Sequence, residues 1–430
     1  MHVIEQHESN VRSYCRSFPA VFDRAEGSHI YDDKGREYVD FFSGAGALNY
    51  GHNHPSLKAK VLEYIDRNGI THSLDMATAA KERFLRRFSS VILEPRGLDY
   101  KIQFPGPTGT NSVEAALKLA RKVTGRDHVI SFTNAFHGMT LGALSVTGNA
   151  FKRRGAGIPL TLNYSMPYCG YFGDAVDTID HMERLLGDKG SGIGQAAAVI
   201  VETVQAEGGL NTATAQWLRR LQQLCQRHGT LLIVDDIQVG CGRTGPFFSF
   251  EPSGIRPDIV CLSKSLSGYG LPMALTLMQP RWDQWAPGEH NGTFRGHNLA
   301  FVTATEALSF WTTDELTKEV QTKAAIVRGF LKEQIAKWPE VLVEQRGRGL
   351  LQGLLCRRPG LASEFSRAAF RRGLISETAG PEDDVLKLMP PLTIEKETLH
   401  RGLEILRESV EAVAKDMDTK SEEVTVFRRG

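Results

Sequence analysis

Two places in this 430-residue chain put a reactive side chain at the end of an apolar run. The first is 231–236 (LLIVDD), which closes on two aspartates. A buried carboxylate is costly unless something pairs with it. Asp235 therefore either caps the next segment or faces a cation in the crevice beyond the carboxyl ends of an open α/β sheet. The second is 258–266 (DIVCLSKSL), where Lys264 follows the apolar run directly. A lysine in such a place commonly snorkels to solvent. Set against the low-dielectric floor of a crevice, its amine would instead lose basicity, as a Schiff-base lysine requires. Lys264 lies 29 positions after Asp235, the length of one strand–helix unit and a connection, so the two side chains can converge on one ligand.

A third stretch, 104–114 (FPGPTGTNSVE), opens an amphipathic segment. Gly106 and Gly109 let the backbone approach a ligand closely, and Asn111 with Glu114 has capping-box spacing. The first turn of a helix offers free N–H groups and positive dipole to an anion. Such a turn by itself is usually no more than a turn; beside Asp235 and Lys264 it reads as a phosphate cradle. A lysine for an aldehyde, an acid to keep a ring nitrogen protonated and a seat for phosphate are together the demands of pyridoxal 5′-phosphate (PLP). Two other motifs point elsewhere and fail. GCGRTG at 240–245 has dinucleotide-fingerprint spacing, but it opens no helix and Pro246-Phe247-Phe248 follows it, so nicotinamide binding is not expected. His52 and His54 in GHNHP lack further ligands and read as a polar turn, so no metal is expected.

These residues need a sheet to carry them. The runs 128–132, 197–204, 230–235 and 259–262 are short and continuously apolar, the pattern of strands buried on both faces. Helical spacing over 111–123 and 215–228 separates them, which implies a mostly parallel sheet covered on both sides. From residue 309 the pattern changes to a long helix at about 314–338, short strands around 345–355, a helix near 361–372 and a closing helix near 395–414, with the last dozen residues expected to fray. The expectation is a large domain over 51–308 and a smaller α+β domain formed by 309–430 together with 1–50. A net charge of +1 offers no basic face to nucleic acid or to a membrane surface. No apolar run approaches the roughly 20 residues of a spanning helix, and the start lacks the apolar core of a signal peptide. A small-molecule substrate and a cytoplasmic location follow as expectations. The six cysteines form no C-x-x-C pair and read as reduced thiols.

With these elements in order, the chain resembles the class-III (ω-amino acid type) PLP aminotransferases of fold type I. The resemblance rests on GPTGTNSVEAALKLAR, AFHGMT, ETVQAEGG, VDDIQVGCGRTG, the lysine 29 positions on, and GTFRGHN, and it runs from about Phe18 to the last helix. It implies roles residue by residue. Lys264 would carry the cofactor and shuttle a proton, Asp235 would pair with the ring nitrogen, and Gln238 would donate to the ring oxygen. Thr108, Gly109 and Thr110 match the phosphate loop, and Phe136, beside His137, matches the residue that stacks on the ring. Thr293 matches one that reaches the phosphate in the neighbouring subunit, which implies a homodimer or larger homo-oligomer. Glu202 and Glu207 match an acidic pair, although Thr203 and Ala206 replace the proline and glycine usual there.

The wording of these motifs is most similar to the subgroup of diaminobutyrate–2-oxoglutarate transaminases of ectoine synthesis. Lys387, in LKLMPP, stands where many class-III enzymes place an arginine, and a point charge clamps a carboxylate less directionally than a planar fork. The resemblance implies amino transfer from L-glutamate to L-aspartate 4-semialdehyde. Such a site must hold a carboxylate near the reacting centre in one half-reaction and farther away in the other. Lys387, Arg243 and Arg295 are the candidate cations, with Glu207 as a switch. The alternatives are another class-III ω-amino acid transaminase of ornithine or 4-aminobutyrate type, an aminomutase on the same fold, and a PLP-sensing regulatory domain. The last normally needs a DNA-binding module, and none is visible.

Overall fold

The computed structural model describes residues 2–427 apart from residue 174. Its central sheet has seven strands, here numbered β1 (Lys101–Gln103), β2 (Val129–Phe132), β3 (Asn163–Met166), β4 (Ala198–Val201), β5 (Leu231–Asp235), β6 (Ile259–Leu262) and β7 (Leu275–Met278). They lie in the order β1-β7-β6-β5-β4-β2-β3. Only β7 runs against its neighbours; the rest are parallel. Strands β2, β4, β5, β6 and β7 are buried along their whole length, which is why their sequences are unbroken apolar runs. Alternate residues face opposite helices. Leu231, Ile233, Ile259 and Cys261 pack with Val113, Ala116, Leu117 and Ala120 of the Gly109–Thr124 helix. Leu232, Val234, Val260 and Leu262 pack on the other side with Trp217, Leu218, Leu221 and Leu224 of the Ala215–His228 helix.

The two ends of the chain meet. Phe22–Glu26, His29–Asp32 and Glu37–Asp40 form a meander, and Leu374–Ile375 adds to it in parallel beside Val39 and Asp40. A second antiparallel sheet joins Leu342–Arg348, Leu351–Cys356, Val385–Leu388 and Glu377–Ala379. The helices Glu315–Lys337 and Leu361–Arg371 cover these sheets.

Three local expectations shift. The Gly109–Thr124 helix begins two residues early, with Thr108 as its N-cap; Asn111 Oδ1 accepts from the Thr108 N–H (3.1 Å) and hydroxyl (2.8 Å). Glu114, expected to cap, instead accepts from Thr140 Oγ1 (2.5 Å) and the Ala143 N–H (3.0 Å). The run 197–204 breaks after Val201, and Val204–Gln205 pairs separately with Asn211–Thr212. The closing helix runs over Lys396–Phe427, and the end of the stretch expected to fray, residues 428–430, lies outside the described residues. Among the described residues no helix is long and apolar enough to cross a membrane.

Candidate active site

A cavity opens at the carboxyl edge of the central sheet, where β4, β5 and β6 end side by side. Glu202 follows β4, Asp235 ends β5 and Lys264 comes two residues after β6. All three line the cavity, together with Gly109, Thr110, Phe136, His137, Glu207 and Gln238. Lys264 has a left-handed backbone (φ 52°) in a short turn, an uncommon conformation for a long side chain and one that clusters at functional sites. The turn is held by Ser265, whose hydroxyl donates to the Gly46 carbonyl (2.6 Å) and accepts from the Asn49 N–H (3.0 Å). Burial lowers the basicity of the Lys264 amine, as a Schiff-base lysine needs.

Asp235 is buried and its two oxygens are already placed. Oδ2 lies 2.7 Å from His137 Nδ1, and Oδ1 accepts from the Ile237 N–H (3.1 Å). His137 Nε2 and Gln238 Oε1 are buried without a partner among the described residues, and both residues face the cavity. The Gln238 amide Nε2 donates to the Ala45 carbonyl (2.9 Å), so in this arrangement its free atom is an acceptor rather than the donor expected. Glu202 accepts from the Phe136 N–H (3.0 Å), and burial, reinforced by Asp235, raises its carboxyl well above the usual range. At the far end, Gly138 brings the Phe136 loop onto the start of the Gly109–Thr124 helix. Its φ is 137°, and a Cβ there would stand 2.5 Å from Thr110 Oγ1.

The lining suits a flat, phosphorylated pyridine aldehyde: an amine, a carboxylate, an aromatic side chain, orphaned buried polar atoms and a helix N-terminus converge on one space. The aromatic is Phe136, whose ring also carries Lys152 Nζ at 4.3 Å.

Beyond Glu207 lies a charged cluster. Lys387 is fully buried, with Glu207 Oε1 and Glu377 Oε2 each 2.8 Å from its ammonium. Burial works against an ionised Glu207, but Lys387 and then Lys264 overcome it and hold the carboxyl down at about 2. Burial likewise opposes the Lys387 charge, and the two carboxylates outweigh it and raise its basicity. Tyr14, from the N-terminal segment, neighbours Glu377, and burial and the two acids, Glu377 and Glu207, push its phenol up.

Several expected residues stand apart. Thr108 caps its helix outside the cavity lining. Thr293 is exposed, and its carbonyl accepts from His72 Nε2 (2.9 Å). Arg295 donates to Asn291 Oδ1 (2.9 Å), away from the lining residues. Arg243 is not a substrate cation in this structure. It is wholly buried and bonded to Asn49 Oδ1 (2.6 Å from Nη2) and to the carbonyls of Leu350 (2.9 Å) and Pro390 (2.5 Å). Burial lowers it to about 9, and its bonds clasp the N-terminal segment, the GCGRTG loop and the C-terminal part together. Cys241, in that loop, is buried, which pushes its thiol up and out of the reactive range. Sequence reasoning missed Glu377, Lys152 and Tyr14. None of the three left a trace: Glu377 sits between Ser376 and Thr378 in LISETA, an ordinary polar stretch.

A sequence profile of the class-III aminotransferases matches residues 12–410. The chain is 59% identical to a diaminobutyrate–2-oxoglutarate transaminase of Halalkalibacterium halodurans, over 96% of this chain and 97% of the relative. It is 57% identical to one of Virgibacillus pantothenticus, over 96% and 100%. Among solved structures, ornithine aminotransferase from Toxoplasma gondii superposes with a TM-score of 0.84 at 27% identity, covering 96% of this chain and 95% of that one. A transaminase from the marine bacterium Virgibacillus superposes with a TM-score of 0.86 at 19% identity over 97% and 99%, a likeness of fold alone. With the lysine, the aspartate and the helix N-terminus gathered at one sheet edge, this chain belongs to the class-III aminotransferases.

Proposed function

We propose that this chain moves the amino group of L-glutamate to C4 of L-aspartate 4-semialdehyde, giving 2-oxoglutarate and L-2,4-diaminobutyrate, with PLP as cofactor. The observation that carries this reading is its 59% and 57% identity, over nearly the full length of both chains, to transaminases named for that reaction. PLP, when bound, supplies an electron sink for the carbon that loses its proton. Lys264 would hold the cofactor and, once free, its Nζ would carry that proton from the substrate carbon to the cofactor, so that the nitrogen stays behind when the keto acid leaves. Asp235, steadied by His137, keeps the ring nitrogen protonated. The first-turn N–H groups of Gly109 and Thr110, with Thr108 at the cap, seat the phosphate. Phe136, His137 and Gln238 bound the ring, and Thr293 serves the neighbouring subunit of a homodimer.

The two substrates react at different ends, so a carboxylate must enter the inner part of the site in one half-reaction only. Glu207, paired with Lys387, is the group that yields its place, and Arg295 is the outer cation. The N-terminal 50 residues belong with 309–430 as one small domain, a division supported by the sheet to which both segments contribute strands. A cytoplasmic enzyme feeding ectoine synthesis is the setting that the motif resemblance implies.

The test is direct. Purified holoenzyme mixed with each donor separately should lose its cofactor absorbance faster with diaminobutyrate than with ornithine or 4-aminobutyrate, and glutamate should release 2-oxoglutarate. An enzyme that prefers ornithine or 4-aminobutyrate has a different substrate. One that interconverts amino groups without releasing a keto acid is an aminomutase.

A further inference from the structure

Lys387 has more negative charge around it than it needs. Glu207 Oε1 and Glu377 Oε2 each approach its ammonium to 2.8 Å. With all three groups ionised, the cluster carries one net negative charge in a place where water does not screen it. The two acids are not equivalent. Glu207 lines the cavity and feels Lys264. Glu377 sits behind, locked by strand register: Glu377–Ala379 pairs antiparallel with Val385–Leu388, and Glu377 stands directly opposite Lys387. Tyr14, from the N-terminal segment, neighbours Glu377. Backbone pairing therefore fixes the Glu377–Lys387 contact, whereas Glu207, on a loop, is the member able to turn away.

We propose that Glu377 is a specificity-determining residue: by neutralising Lys387 from behind, it frees the Glu207 carboxylate for the spare ammonium group of a diamino acid and disfavours a second carboxylate there. This rests on the substrate reading above and deepens it, because diaminobutyrate differs from 4-aminobutyrate only by its α-ammonium group. Glutamate brings two carboxylates, so it enters fully when the cluster sheds a negative charge. Glu377 is the acid placed to take the proton: burial raises its carboxyl, Lys387 opposes this and Glu207 adds to it. The titratable groups facing it are Lys387 across the ladder, Glu207 from the loop, Tyr14 from the N-terminal segment and, further off, Lys264.

Glu377→Gln, the neutral isostere, tests the idea against simple anchoring of Lys387. In the holoenzyme, the preference for diaminobutyrate over 4-aminobutyrate in the half-reaction should fall roughly tenfold. Glutarate, a dicarboxylate with no amino group, should bind several times more tightly by calorimetry. An unchanged preference, or weaker glutarate binding as the loss of an anchor would give, overturns the proposal. A second measurement needs no variant. Glutarate binding to the parent holoenzyme at pH 8, followed in buffers of different ionisation enthalpy, should take up close to one proton, and absence of uptake also overturns it. A parent enzyme that fails to prefer diaminobutyrate refutes the substrate reading instead, and the two glutarate experiments then judge Glu377 alone.

Discussion

Lys264 and Asp235 are legible in the sequence because each is a polar residue ending a run that otherwise wants no water. Their chemistry sets two expectations. Borohydride reduction of the holoenzyme followed by peptide mapping should find the cofactor on Lys264, and Lys264→Ala should retain PLP only non-covalently with nearly all turnover lost; an adduct on any other lysine rejects the assignment. Asp235→Asn should keep cofactor binding largely intact while lowering the half-reaction rate strongly, because a neutral ring nitrogen is a poor electron sink. Equal loss of binding and rate would make Asp235 a packing residue. What sequence does not disclose at this scale is pairing. Nothing local marks Glu377 as the partner of Lys387 or Lys152 as the neighbour of Phe136, because both contacts are set by how the folded chain brings separate segments together. Arg243 misleads for the same reason: its charge suggests a ligand, while its partners are carbonyls and Asn49.

Element by element, periodicity identifies the buried strands, and their ends are harder. Strand β4 stops at Val201 because Glu202 turns into the site and Thr203 donates to Ser249 Oγ (2.6 Å), a choice made by tertiary partners. The helix start is misplaced by sequence because Thr108 and Asn111 both have cap chemistry, and only the fold decides which of them stands first. That start makes Gly138 critical. Gly138→Ala would need an unfavourable backbone conformation and would press a methyl group on Thr110, at a cost of about 1–3 kcal/mol. Its expected result is a PLP affinity lowered roughly tenfold or more, read by fluorescence titration of the apoenzyme, with the melting temperature of the apoenzyme changed much less. An unaltered affinity would separate this loop from the phosphate seat.

For the molecule as a whole, the apolar side chains of Met139, Leu141, Phe151 and Phe294 stand exposed, and the homodimer proposed above is the assembly to test. Light scattering should find a C2 dimer, and a monomer with full specific activity would refute both the dimer and the role given to Thr293. Stability should also carry a pH signature. Asp236, which accepts from the Ser249 N–H (3.1 Å) and hydroxyl, is pushed by burial up to about 7. The unfolded chain titrates it near the ordinary aspartate value of about 3.9. Between those values the folded state binds more protons, so this group's contribution to stability falls as pH rises from about 4 to 7, by a few kcal/mol at most. The melting temperature of the parent minus that of Asp236→Asn should accordingly shrink from pH 5 to pH 8. A difference that stays constant would show that Asp236 does not titrate there.

The parallel pairing of Leu374–Ile375 with Val39 and Asp40 has a consequence for how the chain is made. As the polypeptide leaves the ribosome, the meander at its beginning has an open edge and must wait for residues synthesised far later, while every strand of the central sheet has already emerged. The PLP-binding half can therefore collapse first, and the opening segment, Tyr14 included, is latched on last. Nascent chains stalled before residue 374 should be clipped by protease within the first 50 residues and protected across the central sheet.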